Sequence, residues 1–293
     1  SALGQPRETR PTFGGTARDL TDMKPASKRP RGPRRAPTRG APHGRRYTHS
    51  RGRTPERGVT DDAGEPLPTL IADIEAAVLY IDAHVIVLNK PAGLPVHRGP
   101  RARYSLEAWL PALTFGFERL PQPGHRLDTD TSGCLALGRN PRALRQLNAL
   151  FAERAVGKTY WAVVEGHPPA LEGRIAAPLR KISTRAEGWR MVAAADGEPA
   201  VTRYKVLGRT ARRSWLELTP ETGRTHQLRV HCATLGCPIV GDALYGTDGP
   251  ALLLHARRLA FQLGPNTRRI EVDAPPPTPM ADALATFAQD QEA

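Results

Sequence analysis

Cysteine is scarce in this chain: Cys134, Cys232 and Cys237 are the three in 293 residues, and none stands in a CxxC pair. So few and so scattered, they exclude a disulfide framework and read as reduced thiols. Long apolar runs are missing as well. No stretch approaches the roughly 18 to 20 apolar residues that span a bilayer, and the first residues carry no apolar signal segment. These absences predict a cytoplasmic location and no membrane partner. No phosphate-binding Gly loop and no internal repeat is present.

Acidic residues run short in one region. Residues 1–60 hold 15 Lys and Arg against 4 Asp and Glu, while the remainder holds 27 against 25, so nearly all of the net charge of +13 lies in the tail. The stretch ASKRPRGPRRAPTRGAPHGRRYTHSRGR is rich in Arg, Pro and Gly and poor in apolar residues. It cannot bury enough surface to offset chain entropy, which predicts a disordered basic tail over 1–66. An arm of this kind neutralises the phosphates of a polyanion without reading sequence, and its affinity falls steeply with salt. A solubilising extension would share the composition. A membrane surface fits less well, because no amphipathic helix accompanies the charge.

With 39% hydrophobic residues the chain can build a core, and apolar periodicity begins near Leu67 in PLPTLIADIEAAVLYID, which places a folded domain over 67–293. VIVL at 85–88 reads as a buried strand ending in the turn NKPAGLPV. Further strands are predicted at CLALGR (134–139), TYWAVVEG (159–166), two around WRMVAAADGEPAVTRYKVLGR, SWLELT (214–219) and RRIEVDAP. Two helices stand out: PRALRQLNALFAER, with Asn140 as cap and Pro141 in the first turn, and THQLRVHCATLG, closed by Gly236. Runs of short strands with few helices between them predict an α+β fold on a largely antiparallel sheet.

His226, His231, Cys232 and Cys237 crowd into 12 residues. A structural site usually brings two close pairs such as CxxC, which this spacing lacks, and on a helix positions five or six apart face different sides, so no metal site is expected. A local hydrogen bond suits His226 better. HRLDTDTSG, residues 125–133, raises a different question. Asp and Thr beside Gly are ordinary turn residues. Yet TGRTHQLRVH, residues 222–231, places Arg224 and Arg229 where a helix begins, and an Arg there can keep a carboxylate from another segment ionised and aimed.

HRLDTDTSG resembles the HRLDxxTSG motif of the RluA-type pseudouridine synthases. DAHVIVLNKPAGLPVH (82–97) is similar to that family's first motif, and KTYWAVVEG (158–166) to its K-x-Y-x-A-x-V-x-G strand. TGRTHQLRVHCATLGCPIVGDALYG (222–246) resembles its TGRTHQIRVH segment with the GD-x-x-YG continuation, and LLLHARRLAF (252–261) its closing L-H-A strand. The resemblance covers about residues 76–275. It implies the pseudouridine synthase fold, a mixed, largely antiparallel sheet with flanking helices and a central RNA-binding cleft. Residues 1–66 do not read as the S4-like domain that many members carry, so the short form is expected.

The resemblance implies an isomerase that converts specific uridines of ribosomal RNA, transfer RNA or both to pseudouridine. Breaking the N1–C1′ bond, turning the base and rejoining it through C5 needs no cofactor and no metal. Asp128 is implied as the nucleophile. Tyr160 is implied to stack on the base and assist removal of the C5 proton, and Arg229 to pair with Asp128. Arg126 would help fill the space a flipped base leaves, and Leu228 would pack on that base. Lys90 in NKPAG reads as a residue that fixes its turn or neutralises a carboxylate, and is left outside the catalytic set. A monomer is expected, with RNA as partner. The rival is a catalytically silent RNA-binding protein of the same fold, which would have no need for Asp128, Tyr160 and Arg229 together. A metal-dependent RNA-processing enzyme would require a ligand cluster that the spacing does not provide.

Overall fold

The computed structural model describes residues 73–99, 102–184 and 188–289. The basic tail and the expected start of order at Leu67 lie outside the described residues. After a 3₁₀ turn at Glu75–Ala77 come β1 (Val78–Ile81) and β2 (Val85–Lys90). A longer 3₁₀ segment, Leu106–Leu113, and the two-residue β3 (Gln122–Pro123) lead to β4 (Ser132–Gly138). Then follow α1 (Pro141–Ala152), β5 (Gly157–Glu165), β6 (Glu172–Ala176) and a hairpin of β7 (Leu179–Thr184) and β8 (Gly188–Ala193). β9 (Val201–Arg209), β10 (Arg213–Pro220), α2 (Gln227–Thr234), β11 (Leu254–Phe261), β12 (Ile270–Asp273) and α3 (Thr278–Gln289) complete the order.

Among the described residues ten strands make one sheet in the order β1-β2-β4-β11-β5-β10-β9-β6, with β3 added to β4 and β12 to β11. Its pairings are antiparallel except that of β4 with β11, where His255 lies opposite Ser132 and Ala256 opposite Gly133. The expected α+β fold with a mixed, largely antiparallel sheet is the one observed.

The apolar run VIVL is continuous because β2 is covered on both faces. Ile86 and Leu88 pack with Leu106, Trp109, Leu110 and Leu113 of the 3₁₀ segment, whereas Val85 and Val87 pack with Leu147 of α1 and with Phe261 and Val272. β5 divides its residues in the same way. Ala162 and Val164 face Leu228 and Cys232 of α2, while Val163 meets Met280 and Phe287 of α3, with Trp161 packed nearby. Tyr160 shares the α2 face with Ala162, two residues on. Burying a large apolar side chain in such a layer contributes roughly 1.5–3 kcal/mol.

α1 begins as expected: the Asn140 side-chain oxygen accepts the Ala143 N–H at 2.9 Å and Pro141 takes the first helical position. α2 is shorter at its start than THQLRVHCATLG predicts. His226 takes φ 52, in the left-handed region, so the helix opens only at Gln227. Its end matches expectation: Gly236 sits at φ 78, its N–H donates to Ala233 O, and the Cys237 N–H donates to Cys232 O, both at 3.0 Å. Both strands predicted within 189–209 are present, but β8 pairs with β7 outside the large sheet and β9 pairs with β10 and β6. The sequence does not predict β1, β3, β6, β7, the 3₁₀ segments or α3.

Candidate active site

The loop bearing Asp128 enters the sheet where β4 starts, beside β11, and is fastened on several sides. The Ala136 N–H donates to His125 Nε2 at 3.0 Å, and the ring stacks on Phe151 with centroids 4.2 Å apart. Burial pushes the His125 pKa down to about 3, so the ring stays neutral with its hydrogen on Nδ1. Leu127 is buried in the core, and the Thr131 N–H closes the turn on Asp128 O at 3.1 Å. Beyond it, Ser132 Oγ lies 2.9 Å from His255 Nδ1. Gly133 must be glycine: its φ is 109, and a Cβ there would collide with the backbone of Ala256 on β11.

Lys90 explains much of this rigidity. It is 1% exposed, and its ammonium donates to Pro91 O at 2.8 Å and to Leu94 O and Thr129 O at 2.9 Å each. The Gly93 N–H reaches the same Thr129 oxygen. Burial lowers the Lys90 pKa to about 7, against the opposing pull of Asp130 and Asp128. Its place is therefore that of a clamp on the carbonyl next to Asp128.

A cleft of about 420 Å³ collects the candidates from three distant segments. Asp128, Arg126, Tyr160, Leu228 and Arg229 all line it, together with Arg154, Lys158 and Arg224. Asp128 has a side chain 19% exposed, and Arg126 stands exposed beside it. Tyr160 sits on β5 opposite Leu218 of β10. Burial, and then the charge of Asp128, push its hydroxyl above the usual phenol range, so it is held as a phenol. Leu228 is buried on the first turn of α2.

The pairing expected between Arg229 and Asp128 is not made. Arg229 donates through Nε to Asp242 Oδ2 at 2.8 Å and through Nη2 to Oδ1 at 2.6 Å. Asp242 is buried in the turn after α2 and also accepts the N–H groups of Leu244 and Tyr245 at 3.1 and 3.2 Å. A buried carboxylate with four donors outcompetes one at the cleft wall. Burial works against the Arg229 charge, but Asp242 outweighs it and raises the guanidinium pKa above its ordinary value. Arg224, the other candidate partner, pairs with Glu198 and donates to Pro199 O.

The 222–227 loop is tied by Gln227. Its side-chain oxygen accepts from Thr222 Oγ1 at 2.7 Å and from the Arg224 N–H at 3.0 Å, and its amide donates to Val201 O and Thr202 Oγ1. The residues weighed as metal ligands disperse. His231 hydrogen-bonds Thr202 Oγ1 and Ala177 O, while Cys232 and Cys237 lie buried as free thiols. His226 hydrogen-bonds Tyr245 OH, 19 positions along the chain rather than a local partner, and also stands 3.9 Å from Asp128. Among the described residues no group of three or more His, Cys, Asp and Glu could hold a metal ion, and no helix is long and apolar enough to cross a membrane. Asp242 and Tyr245 are site residues that the sequence does not single out, although both lie in the GD-x-x-YG segment.

Residues 84–234 match the family model for RNA pseudouridylate synthase. An uncharacterised RNA pseudouridine synthase of Zymomonas mobilis is 50% identical over 187 residues, 62% of this chain and 85% of that relative. Ribosomal large subunit pseudouridine synthase C of Vibrio cholerae is 33% identical over 252 residues, 81% of this chain and 79% of the other. The solved structure of human RNA pseudouridylate synthase domain containing 4 superposes with a TM-score of 0.63 at 27% identity, covering 73% of this chain and 94% of that one.

Proposed function

The chain belongs to the RNA pseudouridine synthase family and is an isomerase that makes pseudouridine, and from that premise we propose that Asp128 is its nucleophile, acting on a uridine flipped out of an RNA stack. One observation supports this above others: segments 125–133, 158–166 and 222–231 bring Asp128, Tyr160 and Arg229 to a single cleft of about 420 Å³. Uridine and pseudouridine are isomers, so the balance closes without a cofactor. The N1–C1′ bond breaks, C5 bonds to C1′ and gives up its proton, and N1 takes up a proton in exchange, so no atom is gained or lost.

In this reading Asp128 attacks the uridine or assists departure of its base. Tyr160 offers a ring face to the base. Held as a phenol, it accepts the C5 proton only as it gives up its own, and Asp128 is the carboxylate whose charge reaches it. Arg229 acts from its Asp242 clamp as a fixed positive charge on the cleft wall. Leu228 packs on the extruded base, and Arg126 fills the gap left in the RNA. Arg154, Lys158 and Arg224 add cationic lining suited to phosphates.

For the substrate we propose large-subunit ribosomal RNA, transfer RNA stem-loops, or both, acted on by a monomer in the cytoplasm. Residues 67–293 would be the catalytic domain, and the basic tail of 1–66 would add affinity for RNA phosphates. Mapping pseudouridines in total RNA from cells with and without the gene tests the reading. One or a few sites should vanish, and return with the wild type but not with Asp128→Asn. An unchanged map would overturn it.

A further inference from the structure

His226 is held more tightly than a loop histidine requires. It is the N-cap of α2 with φ 52, a conformation that favours Gly and Asn, and its side chain is 12% exposed. Trp189 of β8 stacks on the ring at 5.1 Å and 29°, and Tyr245 meets it edge-on at 5.6 Å and 81°. The Tyr245 hydroxyl also lies 2.8 Å from His226 Nδ1.

That hydroxyl already accepts the Met191 backbone N–H at 3.0 Å. With an acceptor site taken, its own hydrogen is free for Nδ1. A neutral imidazole that accepts at Nδ1 carries its hydrogen on Nε2. Nε2 is the atom that faces Asp128 Oδ2, at 3.9 Å.

We propose that His226 is a positioning residue of this site: Tyr245 sets its tautomer, and its Nε2–H steers the Asp128 carboxylate in the place that Arg229 leaves by binding Asp242. The inference rests on Asp128 being the nucleophile. A distance of 3.9 Å is longer than a hydrogen bond, and a small closure of the cleft on a bound uridine shortens it to contact, as happens when catalytic groups tighten on substrate. The charged groups around the ring are Asp128, Arg229, Asp242 and Arg126. Burial leads among the influences on the ring and lowers its pKa, which keeps it a neutral donor at neutral pH. Trp189 and Met191 both belong to β8, so the β7–β8 hairpin reaches the carboxylate through this one side chain.

His226→Asn separates the two jobs of the ring. Asn suits the left-handed backbone and keeps a short-range acceptor for Tyr245, but it has no atom at the Nε2 position. RNA affinity should stay within about twofold, while the single-turnover rate of pseudouridine formation falls roughly ten- to hundredfold. A second measurement does not depend on activity. Side-chain ¹⁵N shifts of the full-length protein should report the Nε2–H tautomer at His226, and the Nε2 resonance should move in Asp128→Asn. An Nδ1–H tautomer, an Nε2 resonance indifferent to Asp128→Asn, or an unchanged rate in His226→Asn overturns the proposal. Should the wild type make no pseudouridine in any RNA, the assigned function falls, while the tautomer still decides the His226 geometry.

Discussion

Arg229 turns both Nε and Nη2 onto the Asp242 carboxylate, at 2.8 and 2.6 Å, in a buried pair that joins α2 to the turn carrying Tyr245. Removing one partner strands the other. Asp242→Ala should cost roughly 3–5 kcal/mol in urea unfolding, because a guanidinium is left buried without its counter-charge. Replacing both, as Arg229→Met with Asp242→Leu, should restore most of that stability. Equal losses in the single and double variants would mean that the pair is not coupled.

Asp128 behaves oppositely. Among the described residues no hydrogen bond reaches its carboxylate, and the His226 imidazole stands 3.9 Å away. Asp128→Asn should therefore shift stability by less than about 1 kcal/mol while lowering pseudouridine formation by roughly a thousandfold or more. Calorimetry with a product assay checks both. An unfolded variant would instead assign Asp128 to the turn.

Acid should act on His125. The unfolded chain takes up a proton at this residue near its ordinary value of 6.5, whereas burial delays uptake in the folded protein to about 3. Between those values the unfolded state binds more protons, so stability present above 6.5 is lost as pH falls, by up to about 1.4 kcal/mol per pH unit. Burial lowers the pKa of His231 and His255 in the same sense, so the difference between wild type and His125→Gln isolates the contribution of His125. Urea midpoints at pH 4.5 and 6.5 should converge more closely in the variant.

Gly133→Ala should cost roughly 2–4 kcal/mol, since φ 109 is strained for alanine and its methyl meets the Ala256 backbone. Thermal unfolding measures it. A melting temperature equal to that of the wild type would show that β4 and β11 yield freely at this point.

How much of this is legible in the sequence depends on whether a signal is local. α1 is legible because Asn140 and Pro141 announce it, and so is the end of α2 at Gly236. The start of α2 is not, since the left-handed backbone of His226 goes with side-chain contacts to Trp189 and Tyr245, both distant in sequence. α3 shows a local signal that the sequence reading leaves unused: Met280, Ala283, Leu284 and Phe287 recur at helical spacing and pack together. The membership of the cleft follows from the family motifs. Which acid Arg229 chooses does not, because Asp128 and Asp242 differ in burial, and burial belongs to the tertiary structure.

The junction of β4 with β11 also bears on how the protein is made. Ser132 and His255, which meet there, are separated by 123 positions. As the chain leaves the ribosome, the segment holding Asp128 emerges long before the strand that braces it. A contact so distant in sequence spends chain entropy before it is rewarded and forms late. The loop holding Asp128, the proposed nucleophile, therefore lacks this brace until β11 arrives, and a nascent chain stalled before residue 255 should make no pseudouridine.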